Sequence, residues 1–221
     1  MKVSIIVPVA AGEEMWRRPF EWDIPADWQL IIAAAPNTKT PPITGNKARW
    51  LACPRQGRAA QMNAAAACAD NEWLWFVHAD TVLCADTCQK LRAAIGDYRQ
   101  PDTAKTPILY FDLRFVDGGA KMRINEWGVR LRCALFGNPF GDQALCLTQA
   151  ALRHIGGYDE DADYGEDHLL VLRARQKGIG VRRIPAAVGT SARRYLREGW
   201  WRTVLLYRRL WVRQYRKERR R

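Results

Sequence analysis

The hydrophobic positions of this chain fall into short, β-branched runs separated by stretches with helical spacing. Residues 2–9 (KVSIIVPV) and 28–35 (WQLIIAAA) read as buried strands, and 48–53 as a weaker third. An alanine-rich helix over 58–69 follows, then a continuous apolar strand over 73–77 (WLWFV) and a helix over 85–98 capped near Asp86. This β-β-α-β-α order predicts an α/β fold with a largely parallel sheet flanked by helices. Ligands of such sheets bind beyond the carboxyl ends of the strands.

The second half is more mixed. Residues 108–116 alternate as a longer strand and 121–136 form a helix. A short strand over 144–147 follows the Gly141-Asp142-Gln143 turn, and a short helix over 149–155 ends at Gly156-Gly157. The helix over 166–176 stops at Lys177-Gly178, and 181–184 is a last small strand. The Pro- and Thr-rich segment 36–42 is a loop with no core-forming residues, and it does not divide the chain. Met1-Lys2 ahead of an apolar run has the outline of a secretory signal. Its basic region is a single lysine, however, and Val3, Ile5, Ile6, Val7 and Val9 suit a buried strand better.

Composition adds three constraints. With 221 residues, 48% hydrophobic and 26% charged, the chain is a globular protein of one domain with an appendage. No run approaches the roughly 18 apolar residues of a spanning helix. Six cysteines without a CxxC pair imply free thiols in a reducing cytoplasm, and no His or further Cys joins Cys84 and Cys88 at metal-site spacing. The net charge of +12 is concentrated at one end: residues 193–221 hold 12 of the 35 Lys and Arg and 2 of the 23 Asp and Glu. A protein that coats nucleic acid is disfavoured, and no specific nucleic-acid partner is expected.

The expected organisation is therefore a nearly neutral folded domain over 1–195 and a basic amphipathic helix and tail over 196–221. Leu196, Trp200, Trp201, Val204, Leu205, Tyr207, Trp211, Val212 and Tyr215 cover a broad face, with Arg202, Arg209, Arg213 and Arg216 opposite. Such a helix either lies in an anionic membrane interface, making the protein peripheral at the inner surface, or packs its apolar face on the domain. The final run 216–221 reads as disordered.

Three polar sites follow apolar runs. Asp80 in His78-Ala79-Asp80 sits at a strand's carboxyl end, where it would hold a divalent ion or cap the next turn. Glu166 and Asp167 open a helix, as a general base or as partners of the helix dipole. Gly141-Asp142-Gln143 is a polar turn entering a strand.

In order along the chain, SIIVPVAAGEE, GRAAQMN, HADT, GDQALCL, IGGYDEDADYGED and GTSARR resemble the family-2 glycosyltransferases of GT-A fold. They are particularly similar to a small bacterial subgroup described as radical-SAM/selenodomain-associated or arsenosugar-biosynthesis transferases. The resemblance covers residues 2–9 and 55–206. It implies a nucleotide-diphosphate sugar donor, an acceptor hydroxyl, Mg²⁺ or Mn²⁺, and inverting displacement. By position, Asp80 matches the metal-binding acid, with His78 in place of the first acid and in the second shell. Asp167 matches the catalytic base and Glu166 its neighbour. Glu13 and Arg58 match positions near the nucleotide, Gly141, Asp142 and Gln143 a segment lining the donor and acceptor cleft, and Arg193 and Arg194 a basic pair for the diphosphate.

Two departures stand out. The acidic turn usual after the second strand is replaced by Ala33-Ala34-Ala35-Pro36-Asn37-Thr38, and the Asn before the glutamates by Ala10-Ala11-Gly12. A non-catalytic relative acting as a binding protein, and a nucleotidyltransferase, are the alternative readings.

Overall fold

The computed structural model describes residues 1–38, 48–98, 105–162 and 164–218. Part of the loop expected over 36–42, and the end of the 216–221 run, lie outside the described residues. Among the described residues, eight strands form one mixed sheet: β1 (Val3–Val9), β2 (Gln29–Ala34), β3 (Ala48–Ala52), β4 (Trp73–Phe76), β5 (Val82–Leu83), β6 (Ile108–Phe115), β7 (Cys146–Thr148) and β8 (Val181–Thr190). Their order is β3-β2-β1-β4-β7-β6-β8-β5. The β1–β2, β2–β3, β1–β4 and β6–β8 pairs are parallel, while β7 and β5 pair antiparallel with their neighbours. The helices are α1 (Arg58–Ala67), α2 (Thr87–Gly96), α3 (Ala120–Phe136), α4 (Gln149–Ile155), α5 (Glu166–Gln176), α6 (Arg193–Glu198) and α7 (Trp200–Glu218).

The sheet divides the core in two. Alternation in β1 sends Val3, Ile5, Val7 and Val9 to one face, where they meet Trp28, Trp75, Leu91 and Ile95, and Ile6 to the other, with Met62, Leu74, Phe76 and Leu170. All seven residues of β1 are buried, so the N-terminal segment is a central strand. β1 and β4 run parallel with Ile6 opposite Phe76, which brings the residues after both strands to one edge.

Several boundaries differ from the expected ones. The last strand continues to Thr190 through Pro185, because its pairing with β6 breaks register between Tyr110 and Asp112 and leaves that proline outside the regular ladder. The two-residue β5 and a 3₁₀ helix over Glu14–Glu21 carry too little periodicity to be read beforehand. Asp86 does precede α2, but its side chain makes no cap and pairs instead with Lys90 at 2.7 Å. The C-terminal helix begins earlier, at Arg193, and breaks at Gly199, whose φ of 88° suits glycine. Its apolar face is also divided: Thr203 is buried and Tyr207 and Trp211 turn inward, while Trp201 and Leu205 face out. All six cysteines are free. Among the described residues, no helix is long and apolar enough to cross a membrane.

Candidate active site

A cavity of about 720 Å³ opens where the carboxyl ends of β1 and β4 meet. Its wall comes from residues after those strands (Ala10, Glu13, His78, Asp80), from Arg58, from the turn at Gly141, and from α3, α6 and α7. The topology rule for parallel strands thus places the cavity as expected.

Glu166 and Asp167 occupy the first turn of α5, and both are buried. Arg58, at the start of α1, reaches across 108 residues of chain to bind the pair. Its Nε donates to Glu166 Oε1, its Nη2 to Asp167 Oδ2 at 3.1 Å, and its Nη1 lies 3.2 Å from His78 Nε2. Burial alone would disfavour the guanidinium, but Asp167 and Glu166 more than offset that and keep it charged. Burial and the Arg58 charge push His78 down to about 3, so the ring is neutral and its Nε2 accepts from Arg58. For Asp167, burial pushes the carboxyl up to about 7. Arg58 opposes that rise, and the charges of Glu166 and Asp142 add to it.

The shape of this pocket depends on two glycines. A Cβ at Gly141 would penetrate the Asp167 carboxylate, with Oδ1 only 2.8 Å away, so the turn packs its bare backbone on that group. Gly165, at φ 68°, precedes α5, and a Cβ there would lie 2.6 Å from Gln214 Oε1.

On the far side, Arg193 Nη2 lies 3.5 Å from Asp80 Oδ2 and 3.8 Å from Glu13 Oε2. Glu13 also caps the 3₁₀ helix, accepting from the Met15 amide at 3.0 Å. Arg18 donates to the Asp80 carbonyl at 2.9 Å and steadies that loop. Arg194 pairs with Glu198 at 3.2 Å and covers the Tyr207 ring at 5.1 Å.

Asp142 lies on the same wall. Burial raises its carboxyl, Arg132 and Arg58 oppose the rise, and Asp80 adds to it. Its Oδ1 is buried without a hydrogen-bond partner among the described residues. Asp80 and Asp142 therefore offer hard oxygen donors of the kind Mg²⁺ and Mn²⁺ accept. Among the described residues, no three His, Cys, Asp or Glu gather as a metal cage. One or two carboxylates completed by substrate phosphates is the usual arrangement for Mg²⁺.

Of the residues read from the sequence, Glu13, Arg58, His78, Asp80, Gly141, Asp142, Asp167, Arg193 and Arg194 line this cavity. Glu166 stands just behind it on Arg58. Arg58 lines the cavity and is at the same time bound to the Glu166–Asp167 pair. One placement differs from expectation. Gln143 does not line the cleft. Its Oε1 accepts from Arg132 Nη2 at 3.2 Å and from the Phe140 amide at 3.2 Å, and its Nε2 donates to the Phe111 carbonyl at 3.0 Å. It ties the turn to β6. Gln143→Ala is expected to lower stability by about 2–3 kcal/mol, because it leaves buried partners unsatisfied, and urea unfolding measures this.

The remaining polar residues of GRAAQMN also have structural work. Gln61 donates to the carbonyls of Val9 and Ala33, at 2.8 and 2.6 Å, joining the ends of β1 and β2. Asn63 exchanges bonds with the Tyr158 backbone, both at 2.9 Å, and so holds the GGYDE segment. What the sequence reading missed is an aromatic wall. Tyr164 and Tyr207 stack at 6.0 Å, Tyr195 meets Tyr207 edge-on, and Trp211 lines the same cavity. The spacing of Tyr207, Trp211 and Gln214 on one helical face is the signal that would have found it.

No protein-family model matches the chain, and no curated protein matches it. Solved structures do. Mannosyltransferase PcManGT from Pyrobaculum calidifontis, in complex with GDP-Man and Mn²⁺, matches with a TM-score of 0.62 and 15% identity over 86% of this chain and 56% of that one. The fold is GT-A. S. aureus TarS residues 1–349 match with a TM-score of 0.59 and 16% identity, over 87% of this chain and 61% of that one. Full TarS matches at 0.58 and 16% identity, over 86% of this chain and 37% of that one. The chain thus spans between 37% and 61% of the length of these proteins. In open α/β sheets ligands bind beyond the carboxyl ends of the parallel strands, and the cavity lies beyond those of β1 and β4.

Proposed function

We propose that this protein is an inverting, metal-assisted glycosyltransferase that moves a sugar from a nucleotide-diphosphate donor to an acceptor hydroxyl. The ordered motifs support placing it in family 2, near the bacterial radical-SAM/selenodomain-associated or arsenosugar subgroup. The observation that carries the reading is Asp167: a carboxylate buried at the cavity wall, pressed by Gly141, with its pKa pushed up to about 7. That is the range in which a carboxylate both holds its charge and accepts a proton effectively. The complexes of PcManGT with GDP-Man and Mn²⁺, and of TarS with UDP-GlcNAc, support a nucleotide-sugar donor.

Asp167 takes the acceptor proton as the hydroxyl oxygen attacks the anomeric carbon, and the bond to the nucleoside diphosphate breaks on the opposite face. Arg58 orients Asp167 and leaves Oδ1 for the acceptor. Arg193, at the Asp80–Glu13 side, meets the departing phosphates. Asp80 and Asp142 would hold Mg²⁺ or Mn²⁺, which would supply positive charge for that leaving group. The aromatic wall seats the acceptor, by apolar stacking on Tyr164, Tyr207 and Trp211. The free cysteines fit a cytoplasmic setting.

Calorimetric titration of UDP and GDP with Mn²⁺ tests this. Binding is expected in the parent, weakened about tenfold or more by Asp80→Asn through lost metal contact. Absence of binding at millimolar nucleotide overturns the reading. The Ala33–Ala35 turn, which lacks an acid, favours a non-catalytic binding protein as the second reading. Nucleotide binding without transfer to any acceptor, and without slow donor hydrolysis, would establish that one instead.

A further inference from the structure

We propose that the outer faces of α3 and of the α6–α7 pair form a single surface that seats the protein on an anionic lipid bilayer. The apolar residues of α3 do not all point inward. Ile124, Trp127, Leu131 and Leu135 recur at helical spacing on the side opposite the buried Met122 and Cys133, and Trp127 and Leu135 are 65% and 66% exposed. On the neighbouring helices, Leu196 is 64% exposed and Trp201 70%, with Leu205 beside it. The two helices are neighbours, since the ring of Phe136 at the end of α3 lies 6.3 Å from that of the inward-turned Trp211 on α7. Both helices also wall the cavity, α3 through Val129 and Arg132 and α7 through Tyr207 and Trp211.

The charge of the chain is concentrated in the sequence segments that carry these helices. Residues 120–136 and 193–221 together hold 16 Lys and Arg against 3 Asp and Glu, whereas the remaining 175 residues hold 19 and 20. Exposed Trp, Leu and Ile interleaved with arginine is the composition that inserts at a headgroup boundary: the apolar groups enter the acyl region and the cations meet anionic headgroups. Self-association through this face would bring two strongly cationic surfaces together, which disfavours a second copy as the occupant. Nucleic acid would satisfy the arginines but leave the aliphatic stripe of α3 in water. Because no helix among the described residues can cross a bilayer, the attachment is interfacial. A tail acting alone would not need α3, so α3 is where the proposal is tested.

The experiment is co-sedimentation of the full chain with vesicles of phosphatidylcholine, with and without phosphatidylglycerol. Binding is expected only with phosphatidylglycerol, and it should weaken as salt rises. The double variant Trp127→Ser/Leu135→Ser is expected to bind about tenfold more weakly or worse, with an unchanged circular dichroism spectrum. Lys121→Glu/Arg123→Glu, which removes no apolar group, is a second route to the same loss. Equal sedimentation of both α3 variants and the parent overturns the proposal. So does equal binding to neutral vesicles, or a parent dimer that Trp127→Ser converts to monomer. The readout uses neither donor nor turnover, so its failure leaves the transferase reading standing.

Discussion

Asp167→Asn is expected to lower sugar transfer by about 10³-fold while nucleotide binding persists, since general-base removal alone has effects of this order. The amide keeps the shape that packs against Gly141 and still meets Arg58, but it cannot accept the acceptor proton. In the parent, transfer should rise with pH and level off above about 7, because the ionised carboxylate is the active form and burial holds its pKa there. The variant should lose this limb. Stability moves the opposite way. A carboxyl raised in the folded state favours folding below its ordinary value of 3.8, and that contribution is lost as pH climbs through about 7. The melting temperature of Asp167→Asn relative to the parent should therefore become more positive from acid to alkaline pH. Undiminished turnover by the variant would point to a nucleotidyltransferase, which needs no such base.

Gly141→Ala is expected to lower turnover by about 10²-fold without touching the chemistry of any side chain, because small displacements of reacting groups have effects of this size. The added methyl enters the space of the Asp167 carboxylate, so either the turn or the base must move. The turn is poorly placed to yield. Its far end, Ala144, already holds a left-handed φ of 50°, and the Ala144 carbonyl accepts from Trp75 Nε1 at 3.1 Å in the core. The carboxylate therefore shifts, and its bond to Arg58 goes with it. A turnover loss with nucleotide affinity retained is the expected signature; unchanged turnover would show that the carboxylate tolerates displacement. Thermal unfolding of the same variant should show a modest loss, since the clash falls on one side chain.

The linear order of strands and helices was legible because it depends on local spacing. Val3, Ile5, Val7 and Val9 alternate whatever surrounds them, and α5 runs over the expected residues because Gly165 and Lys177-Gly178 bound it locally. That acidic residues would gather at one edge of the sheet was legible for the same reason: each follows a strand or opens a helix at the edge where the cavity lies. The longer β8 was not, since Pro185 ends a strand by local rules and is accommodated only where the partner strand slips register.

By itself the sequence determined an α/β sheet, the edge of that sheet where a cavity is expected, and the carboxylates and arginines available there. Tertiary structure alone decided how those groups are paired. Arg58 is bound by the buried Glu166 and Asp167, 108 and 109 residues away, because an unpaired buried charge costs far more than an exposed one. Gln143 could have lined the cleft, yet Arg132, the Phe140 amide and the buried Phe111 carbonyl claim its side chain. The terminal helix presents apolar residues all around much of its surface. Which of them pack, such as Tyr207 and Trp211, and which stay in solvent, such as Trp201, depends on where α5 and α3 stand. Periodicity is a property of the chain, while pairing and burial are properties of neighbours that only folding brings together.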